Sequence, residues 1–434
     1  MMPQMAELLP TNNSMNTTTP LGTLSVIVHR GTNEIGASCI EVASANTRII
    51  LDCGWPLDGG DESEPPAVPG LFVPGNKPDA VLLSHAHPDH TGFINKIPAD
   101  VPVYATKDTS KIMKVGSIYA GGQEISRNQF QEVKVPRSGC EPVHEFTIGD
   151  LRVTAYPVDH SSPGAVGYLV EHAGTRIFYT GDLRFHGRKA GMHKRILKDL
   201  TGNLDLLITE GTNVGREQSG MRSEQEVEER AVELCRGASL MMVAYSPQNV
   251  DRFVSFFRAA VRAGRTFVCD HYQAAVLQQL HNPKLPKPGD ELRVYLPNRR
   301  ASVADYESRL GDSIISLEEI LAAPDRYMML VRQNILENDI GGKLPLGSRL
   351  LYGMWSGYRP DPKWQKTEQM LTSAGCELIE CHASGHAHEN DLFGFIDELN
   401  PFEIKPVHTQ ATAFFIDSYG AKCATQLNFN LSPE

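Results

Sequence analysis

A group of potential metal ligands occurs in the segment Ser84–Gly92, which reads Ser-His-Ala-His-Pro-Asp-His-Thr-Gly. Imidazole nitrogens and carboxylate oxygens are the usual donors to zinc and similar divalent cations. In extended backbone, side chains two residues apart share a face, so His85 and His87 can bind one ion. Asp89 and His90 would then come from the following turn and could serve a second ion. The alternative is a solvated loop that is rich in histidine by coincidence, which this spacing disfavours.

Two further polar segments follow apolar runs and could add ligands. His160 comes shortly after the run Leu151–Tyr156, and Asp182 shortly after Thr175–Tyr179. A single histidine or aspartate after a strand is more often a cap or turn residue. The first ligand group also follows an apolar run, Asp79–Leu83, which predicts a buried strand. Strand ends would therefore hold all three groups on rigid elements.

The motif His-x-His-x-Asp-His after an apolar strand resembles the signature of the metallo-β-lactamase superfamily. The resemblance implies an α/β fold, a four-layer αββα sandwich with a binuclear metal site along one edge of its two sheets. It also implies how the ligands are shared: three histidines bind the first ion, one aspartate bridges both, and one aspartate with two histidines binds the second. In that order the residues are His85, His87, His160, Asp182, Asp89, His90 and His408.

Three later motifs resemble the β-CASP branch of this superfamily, which carries an inserted α/β domain. The matching residues are Glu210 in Thr-Glu-Gly-Thr, His386 in Ser-Gly-His-Ala and His408 in Pro-Val-His. From about Leu24 to Asn430 the layout resembles ribonuclease J and its relatives. This resemblance implies a zinc-dependent ribonuclease that acts on single-stranded RNA. One departure is that Thr-Gln follows His408, where that family usually reads Gly-Glu.

The matched residues have distinct expected roles in phosphodiester hydrolysis. Two divalent ions, zinc or alternatively manganese, would activate a hydroxide and neutralise charge in the transition state. His386 is expected to stabilise a phosphate oxygen or to protonate the leaving 3′ oxygen, and Glu210 to orient it. Ser384 and Arg184 are expected to contact phosphate. The predicted catalytic residues are Asp89, Asp182, Glu210 and His386.

Strand and helix patterns divide the chain into four segments. Residues 1–23 have no basic start and no sustained apolar core, which predicts a disordered tail and not a signal peptide. Residues 24–236 and 376–434 carry the ligand motifs and are predicted to form the two parts of the sandwich. Residues 237–375 alternate predicted strands and helices, which favours an inserted domain with a parallel sheet flanked by helices.

The composition is that of a soluble globular protein. No apolar run reaches the ~18 residues needed to cross a bilayer, so no membrane contact is expected. Eight scattered cysteines without a C-x-x-C pair predict reduced thiols and a cytoplasmic location. The net charge of −11 argues against coating of nucleic acid by bulk electrostatics. Two basic stretches are local candidates for RNA contact: residues 184–198, and Arg293 with Arg299 and Arg300.

Three other functions are weighed against a ribonuclease. A small-molecule hydrolase, such as a thioesterase or lactonase, shares the first motif but needs no domain-sized insertion beside its site. A DNA nuclease of the same branch is disfavoured by His408, because DNA-processing members often carry valine there. A non-catalytic subunit would typically have lost ligands, and none is missing here. The expected partner is single-stranded RNA, and a homodimer is left open.

Overall fold

The computed structural model describes residues 23–119, 124–127, 129–135, 143–189, 191–217, 220–280, 282–289, 291–298, 304–341, 343–424, 426 and 428–431. The predicted tail up to residue 22, Cys140, Arg299 and Arg300 lie outside these ranges, so the expectations for them stay predictions.

The described strands form three sheets. In chain order the strands are β1 Leu24–Arg30, β2 Cys39–Ala43, β3 Arg48–Leu51, β4 Ala80–Leu82, β5 Val103–Thr106, β6 Gln131–Val133, β7 His144–Ile148, β8 Leu151–Pro157, β9 Val166–His172, β10 Thr175–Tyr179, β11 Leu206–Thr209, β12 Met241–Ala244, β13 Thr266–Asp270, β14 Leu292–Tyr295, β15 Tyr327–Leu330, β16 Arg349–Tyr352, β17 Glu377–Glu380, β18 Glu403–Pro406 and β19 Asn428–Leu431. The first sheet has the order β19-β1-β2-β3-β4-β5-β6, the second β18-β11-β10-β9-β8-β7, and the third β14-β13-β15-β12-β16-β17.

Helices connect and cover these sheets. In chain order the α-helices are α1 Pro88–Thr91, α2 Lys107–Tyr119, α3 His193–Leu200, α4 Glu224–Leu234, α5 Val250–Arg262, α6 His271–Gln279, α7 Ala304–Glu307, α8 Leu317–Ala322, α9 Gln333–Ile335, α10 Pro362–Ser373, α11 Glu389–Leu399 and α12 Thr412–Tyr419. Shorter turns include the 3₁₀ helices Ile94–Lys96 and Ser356–Tyr358 and the π-helix Leu336–Ile340. None of the described helices combines the length and the apolar character needed to span a bilayer.

The first two sheets pack face to face around one core. In β3, the side chains of Ile49 and Leu51 enter this core, and Ile50 points to the opposite face. Strands β4, β10 and β11 alternate in the same way. Since both faces of these strands are buried, they appear in the sequence as continuous apolar runs, which is why they could be predicted.

Helices cover the outer faces of both sheets. Helix α2 packs on the first sheet through Ile112 and Met113. Helices α3 and α11 pack on the second sheet through Ile196 and Phe395. The resulting order of helix, sheet, sheet and helix confirms the predicted four-layer αββα sandwich.

The third sheet belongs to a separate α/β unit, and its strand pairs are parallel. Helix α5 covers one face of it through Phe253 and Phe256. Helices α8 and α10 cover the other face through Ile320 and Leu371. The predicted parallel sheet flanked by helices is therefore present in the inserted region.

Two elements lie elsewhere than the sequence placed them. Strand β17, assigned from the sequence to the second part of the sandwich, pairs in parallel with β16 of the third sheet. Helix α4, assigned to the first part, packs into the core of the third sheet through Val227 and Ala231. Because a short apolar strand or an amphipathic helix fits either sheet, only the tertiary pairing decides its place. The domain boundaries themselves stay a prediction.

Candidate metal centre and active site

Two overlapping groups of ligand-type side chains lie at one edge of the sandwich. Within each group the ligand atoms are within 4.8 Å of one another. The first group is His85, His87, His160 and Asp182, and the second is Asp89, His90, Asp182 and His408. Asp182 belongs to both. The structure therefore brings together the seven residues that the sequence proposed as metal ligands, although they come from segments up to 323 residues apart, His85 and His408 being the outermost.

Strand direction explains why these segments meet. Strands β10, β11 and β18 are mutually parallel, and β8 runs in the same direction because it is antiparallel to β9, as β10 is. The segments that leave their carboxyl ends carry His160, Asp182, Glu210 and His408. Strand β4 of the facing sheet leads into the first motif, and Pro88 begins the short helix α1 that turns the chain there.

The first group is compact. The Nδ1 atom of His87 lies 3.1 Å from Nε2 of His85 and 3.2 Å from Nε2 of His160. The Oδ2 atom of Asp182 lies 3.6 Å from Nε2 of His85 and 3.9 Å from Nε2 of His160. Three imidazole nitrogens and one carboxylate oxygen thus converge on one point, which is a tetrahedral zinc donor set.

The second group lies on the other side of Asp182. The Nε2 atom of His90 is 3.2 Å from Oδ2 of Asp182, and Nε2 of His408 is 3.8 Å from the same oxygen. The Nε2 atom of His408 also lies 3.0 Å from Oδ2 of Asp89. The backbone of His408 has φ = 50°, a left-handed conformation that a non-glycine residue rarely adopts. Such strain is typical of residues held in place at functional sites.

Both carboxylate oxygens of Asp182 and Nε2 of His90 are buried and make no well-aligned hydrogen bond to the described residues, although His90 Nε2 and Asp182 Oδ2 lie 3.2 Å apart. Burying a charged oxygen without a partner is costly. Cations between Asp182 and the surrounding imidazoles would satisfy these atoms. The donor set therefore fits two divalent metal ions that share Asp182.

The pKa shifts of His85, His160 and Asp182 also fit a metal centre, whereas for His90 burial is outweighed by the Asp182 and Asp52 carboxylates, which raise its pKa. Burial is the main cause that lowers the pKa of His85 and His160 well below the ordinary value, and neighbouring histidines add to it. For Asp182, burial raises the pKa, but the charges of His408 and His90 outweigh burial and hold the pKa well below its usual range. Neutral imidazoles and an ionised carboxylate are the forms that bind metals.

Asp52 supports the second group and was not singled out from the sequence. Its Oδ2 atom lies 2.8 Å from Nδ1 of His90 and accepts hydrogen bonds from Ser84 Oγ and the Tyr179 hydroxyl, both at 2.7 Å. The carboxylate therefore orients His90 so that Nε2 faces Asp182. In the sequence, the only feature that could have indicated Asp52 is its position directly after the apolar residues of β3. In the structure, its backbone is left-handed, with φ = 60°.

The other histidines are held in the same manner. The Nδ1 atom of His85 lies 3.0 Å from Ser84 Oγ, and Nδ1 of His408 lies 2.9 Å from Thr212 Oγ1. The Nδ1 atom of His160 lies 2.7 Å from the carbonyl oxygen of Gly385. In each case the second ring nitrogen is left for the centre, which fixes the orientation of the ligand.

His386 and Glu210 form a pair beside the centre. The Nδ1 atom of His386 lies 3.1 Å from both carboxylate oxygens of Glu210 and 3.7 Å from Oδ2 of Asp182. Glu210 is fixed by the backbone N–H groups of Leu183 and Thr212, at 3.0 and 3.1 Å. Burial lowers the pKa of His386, but the Glu210 and Asp182 carboxylates outweigh it and raise the pKa to about 9. A protonated His386 can donate a proton or a hydrogen bond at neutral pH. Glu210, His386 and His408 also lie at metal-ligand spacing.

Arg184 does not line the cleft, which corrects the expectation that it contacts RNA phosphate. It is among the largest fully buried side chains described. Its guanidinium pairs with Asp251 at 2.7 Å, Glu224 at 3.3 Å and Asp159 at 3.4 Å, and it donates to the Ser384 carbonyl at 3.0 Å. A buried arginine needs such partners, and they occupy its donors. The sequence could not distinguish a buried cation from a solvated one.

Ser384 orders the loop that carries His386. Its hydroxyl accepts hydrogen bonds from Asn213 Nδ2 at 2.9 Å and from the backbone N–H of His386 at 3.1 Å. A phosphate contact by Ser384 stays a prediction. Part of the basic stretch after Arg184 is neutralised within the protein, since Arg188 forms an ion pair with Glu228 and Arg195 with Asp199.

The sandwich and its shared-carboxylate centre define a hydrolase of the metallo-β-lactamase class. The profile described as a beta-lactamase superfamily domain matches residues 47–243. This match supports the metallo-β-lactamase superfamily, and the similarity to ribonuclease J and FttA favours its β-CASP branch.

The curated relatives include proteins named as ribonucleases and proteins named as transcription termination factors. Ribonuclease J of Mycobacterium tuberculosis is 26% identical over 412 residues, which cover 89% of this chain and 69% of that protein. Transcription termination factor FttA of Methanothermobacter thermautotrophicus is 26% identical over 262 residues, 54% of this chain and 39% of that protein. A probable ribonuclease of Methanocaldococcus jannaschii is 28% identical over 203 residues, 43% of this chain and 45% of that protein.

A solved structure supports the fold. The crystal structure of a protein of unknown function from Enterococcus faecalis V583 matches with a TM-score of 0.78 and 22% identity, over 94% of this chain and 99% of that one. At this identity the match concerns the fold alone.

Proposed function

We propose that this protein is a metal-dependent ribonuclease that hydrolyses phosphodiester bonds of single-stranded RNA. The observation that carries the proposal is the position of the His386–Glu210 pair, 3.7 Å from the shared Asp182 carboxylate. A binuclear site with an adjacent proton donor suits displacement at phosphorus. Ribonucleases among the relatives favour RNA as the substrate.

The side chains at the centre have distinct proposed roles in metal binding. When bound, two divalent ions would polarise the scissile phosphate and lower the pKa of a water molecule. Asp182 would fix their separation, and the two ligand groups would hold them. Zinc is the proposed metal, with manganese as the alternative, because imidazole and carboxylate donors accept both.

His386 is the proposed donor to the substrate. Its Nδ1 is bound to Glu210, so Nε2 is the nitrogen that can reach a phosphate oxygen or the leaving 3′ oxygen. Burial lowers the pKa of His386, but the Glu210 carboxylate raises it and so favours the protonated ring. Glu210 acts through His386, as an orienting and charge-balancing group.

A small-molecule hydrolase is the competing function. It uses the same metal centre, but it gives no role to the α/β unit built on the third sheet, whose residues Ala383 and Cys381 lead directly into the His386 loop. A polymeric substrate needs a surface beside the metal site, and this unit supplies one. The proposal includes a cytoplasmic location, since the described cysteines are buried free thiols, a state that a reducing compartment maintains. A homodimer stays a prediction.

The test is a parallel assay of metal-loaded protein on three substrates. End-labelled single-stranded RNA, DNA of the same sequence and a generic thioester are incubated with and without a chelator. The expected result is chelator-sensitive cleavage of RNA that exceeds turnover of the other two. Thioester turnover with RNA left intact would assign the protein to the small-molecule hydrolases.

A further inference from the structure

Arg216 is a half-buried cation for which no carboxylate lies within ion-pair distance in the described part of the chain. Its guanidinium lies 5.5 Å from the centroid of the Trp355 ring, a cation–π contact. One terminal nitrogen donates to the Gln410 side-chain oxygen at 3.4 Å, which is a neutral partner. Burial lowers the pKa of Arg216. An arginine that is partly desolvated and not neutralised is suited to binding an anion.

Trp355 and Tyr358 form an exposed aromatic pair beside this cation. Trp355 is 39% exposed and Tyr358 is 50% exposed. Their ring centroids lie 5.3 Å apart at an interplanar angle of 85°. A Cβ atom at Gly357 would lie 2.4 Å from the Trp355 ring, so the glycine lets the ring lie against the turn. The pair is thus held in a fixed arrangement by the 3₁₀ turn Ser356–Tyr358 before any ligand arrives.

These three residues, which we call the aromatic platform, lie at the side of the centre that holds His408. Arg216 belongs to the segment after β11 whose Thr212 contacts His408, and its partner Gln410 follows His408 by two residues. The platform joins a loop of the third sheet to the loops of the sandwich.

We infer that the aromatic platform is a base-stacking subsite for single-stranded RNA, in which Tyr358 stacks on a nucleobase and Arg216 binds a flanking phosphate. The inference rests on the proposed ribonuclease function and names a subsite for it. The exposed face of an aromatic ring stacks on any base, so this contact binds RNA without reading its sequence. The guanidinium, already oriented on Trp355, has donors left for phosphate oxygens.

Charge favours RNA over a protein partner at this surface. RNA supplies both an aromatic face and an anion, which match the two kinds of group in the platform. An apolar protein surface would cover Arg216 without neutralising it, and that burial is unfavourable. The net charge of −11 makes local cations the groups that can attract RNA.

The test combines variants of the metal-loaded protein with an abasic scan of the substrate. A set of single-stranded RNA oligonucleotides carries one abasic nucleotide at successive positions. For the wild type, one abasic position is expected to raise KM by about 10-fold, as loss of one stacked base does. Tyr358→Ala should raise KM for intact RNA by about 10-fold and become insensitive to that abasic position, since the two changes remove the same contact. Tyr358→Phe, which keeps the ring, should behave as the wild type.

Arg216→Ala tests the phosphate contact separately. Loss of one phosphate contact should reduce the slope of log KM against log salt by about 0.7. Lys77→Ala is its charge-matched control, because Lys77 is exposed and already paired with Asp100. Phe402→Ala is the control for Tyr358, because Phe402 is 63% exposed and precedes β18, at the end opposite to His408. Thermal unfolding and metal content establish that each variant is folded and loaded.

The outcomes separate this inference from the proposed function. If the wild type cleaves no RNA, the ribonuclease function is wrong whatever the variants do. Suppose that the wild type cleaves RNA, that no abasic position changes its KM and that Tyr358→Ala keeps the wild-type KM. The proposed ribonuclease function is then retained and the stacking subsite is wrong. A change of oligomeric state in Tyr358→Ala with an unchanged KM would show that the platform is a self-association surface, which also overturns the subsite.

Discussion

The ring of His160 and the carbonyl oxygen of Gly385 meet at 2.7 Å, although they are 225 residues apart in the chain. His160 donates from Nδ1, so its Nε2 atom faces the first ligand group. The same hydrogen bond fixes the residue directly before His386. One contact therefore orients a proposed metal ligand and positions the loop of the proposed proton donor. In the proposed ribonuclease, this contact links metal binding to substrate chemistry.

Asp182 is the carboxylate that both ligand groups share, so its replacement should affect metal content before it affects the fold. Asp182→Asn should keep the secondary structure but lose at least one of two ions, because an amide bridges two cations poorly. Elemental analysis of the purified variant measures this. Asp312→Asn, an exposed site in the third-sheet unit, is the control. Two ions per chain in Asp182→Asn would contradict its role as a bridge.

His386 should act in the transition state and not as a ligand. His386→Ala is expected to keep both metals and RNA affinity but to lower kcat by about 10²–10³-fold, the usual cost of losing one donor or general acid. Glu210→Gln should show a smaller loss, since Glu210 acts through His386. Single-turnover cleavage of labelled RNA with parallel metal analysis measures both effects. His172→Ala is the control, because His172 ends β9 beside the start of β10, at the sheet edge opposite to the metal ligands. A wild-type rate, or loss of a metal ion, in His386→Ala would rule out this role.

Arg184 is expected to stabilise the fold and to hold the loop of His386 in place. Arg184→Met leaves Asp159, Glu224 and Asp251 without their shared cation, and breaking a buried ion pair in this way costs about 3–5 kcal/mol. Chemical denaturation of metal-loaded protein measures the loss. The control Arg230→Met breaks the exposed pair with Glu233, which is expected to cost about 1 kcal/mol or less. Equal effects of the two substitutions would contradict the buried network.

His382 should make the fold sensitive to acid. Burial and, next, the Arg252 charge lower the pKa of His382 to about 3. In the unfolded chain its pKa is about 6.5, so between these values the unfolded state binds the extra proton and stability falls as pH falls. His382→Asn removes this term, and its unfolding free energy relative to wild type should improve by about 1.4 kcal/mol per pH unit from pH 6 to pH 4. Denaturant titrations of both proteins at each pH measure the difference. A difference that does not vary with pH would show that His382 is protonated in the folded protein.

The sequence predicted the sandwich strands well because their residues are buried on both faces and form apolar runs such as Ile49–Leu51 and Leu206–Ile208. The ligand residues were also identifiable, since few structural roles require several histidines and aspartates within a few positions. The ligand residues lie close together because β8, β10, β11 and β18 run in the same direction and end at one edge of the sheet.

Only the tertiary structure decided which polar groups are buried and what they contact. Arg184 reads as a phosphate-binding cation in the sequence, and its burial depends on carboxylates from three distant segments, Asp159, Glu224 and Asp251. Asp52 belongs to no motif identified in the sequence. It contacts His90 only because β3 and β4 are neighbours in the sheet. Local sequence sets residue type and backbone preference, whereas the cost of burying a charge depends on groups that folding brings close. For the same reason, the platform of Arg216, Trp355 and Tyr358 exists only in the folded chain, where two loops 139 residues apart, counted from Arg216 to Trp355, come into contact.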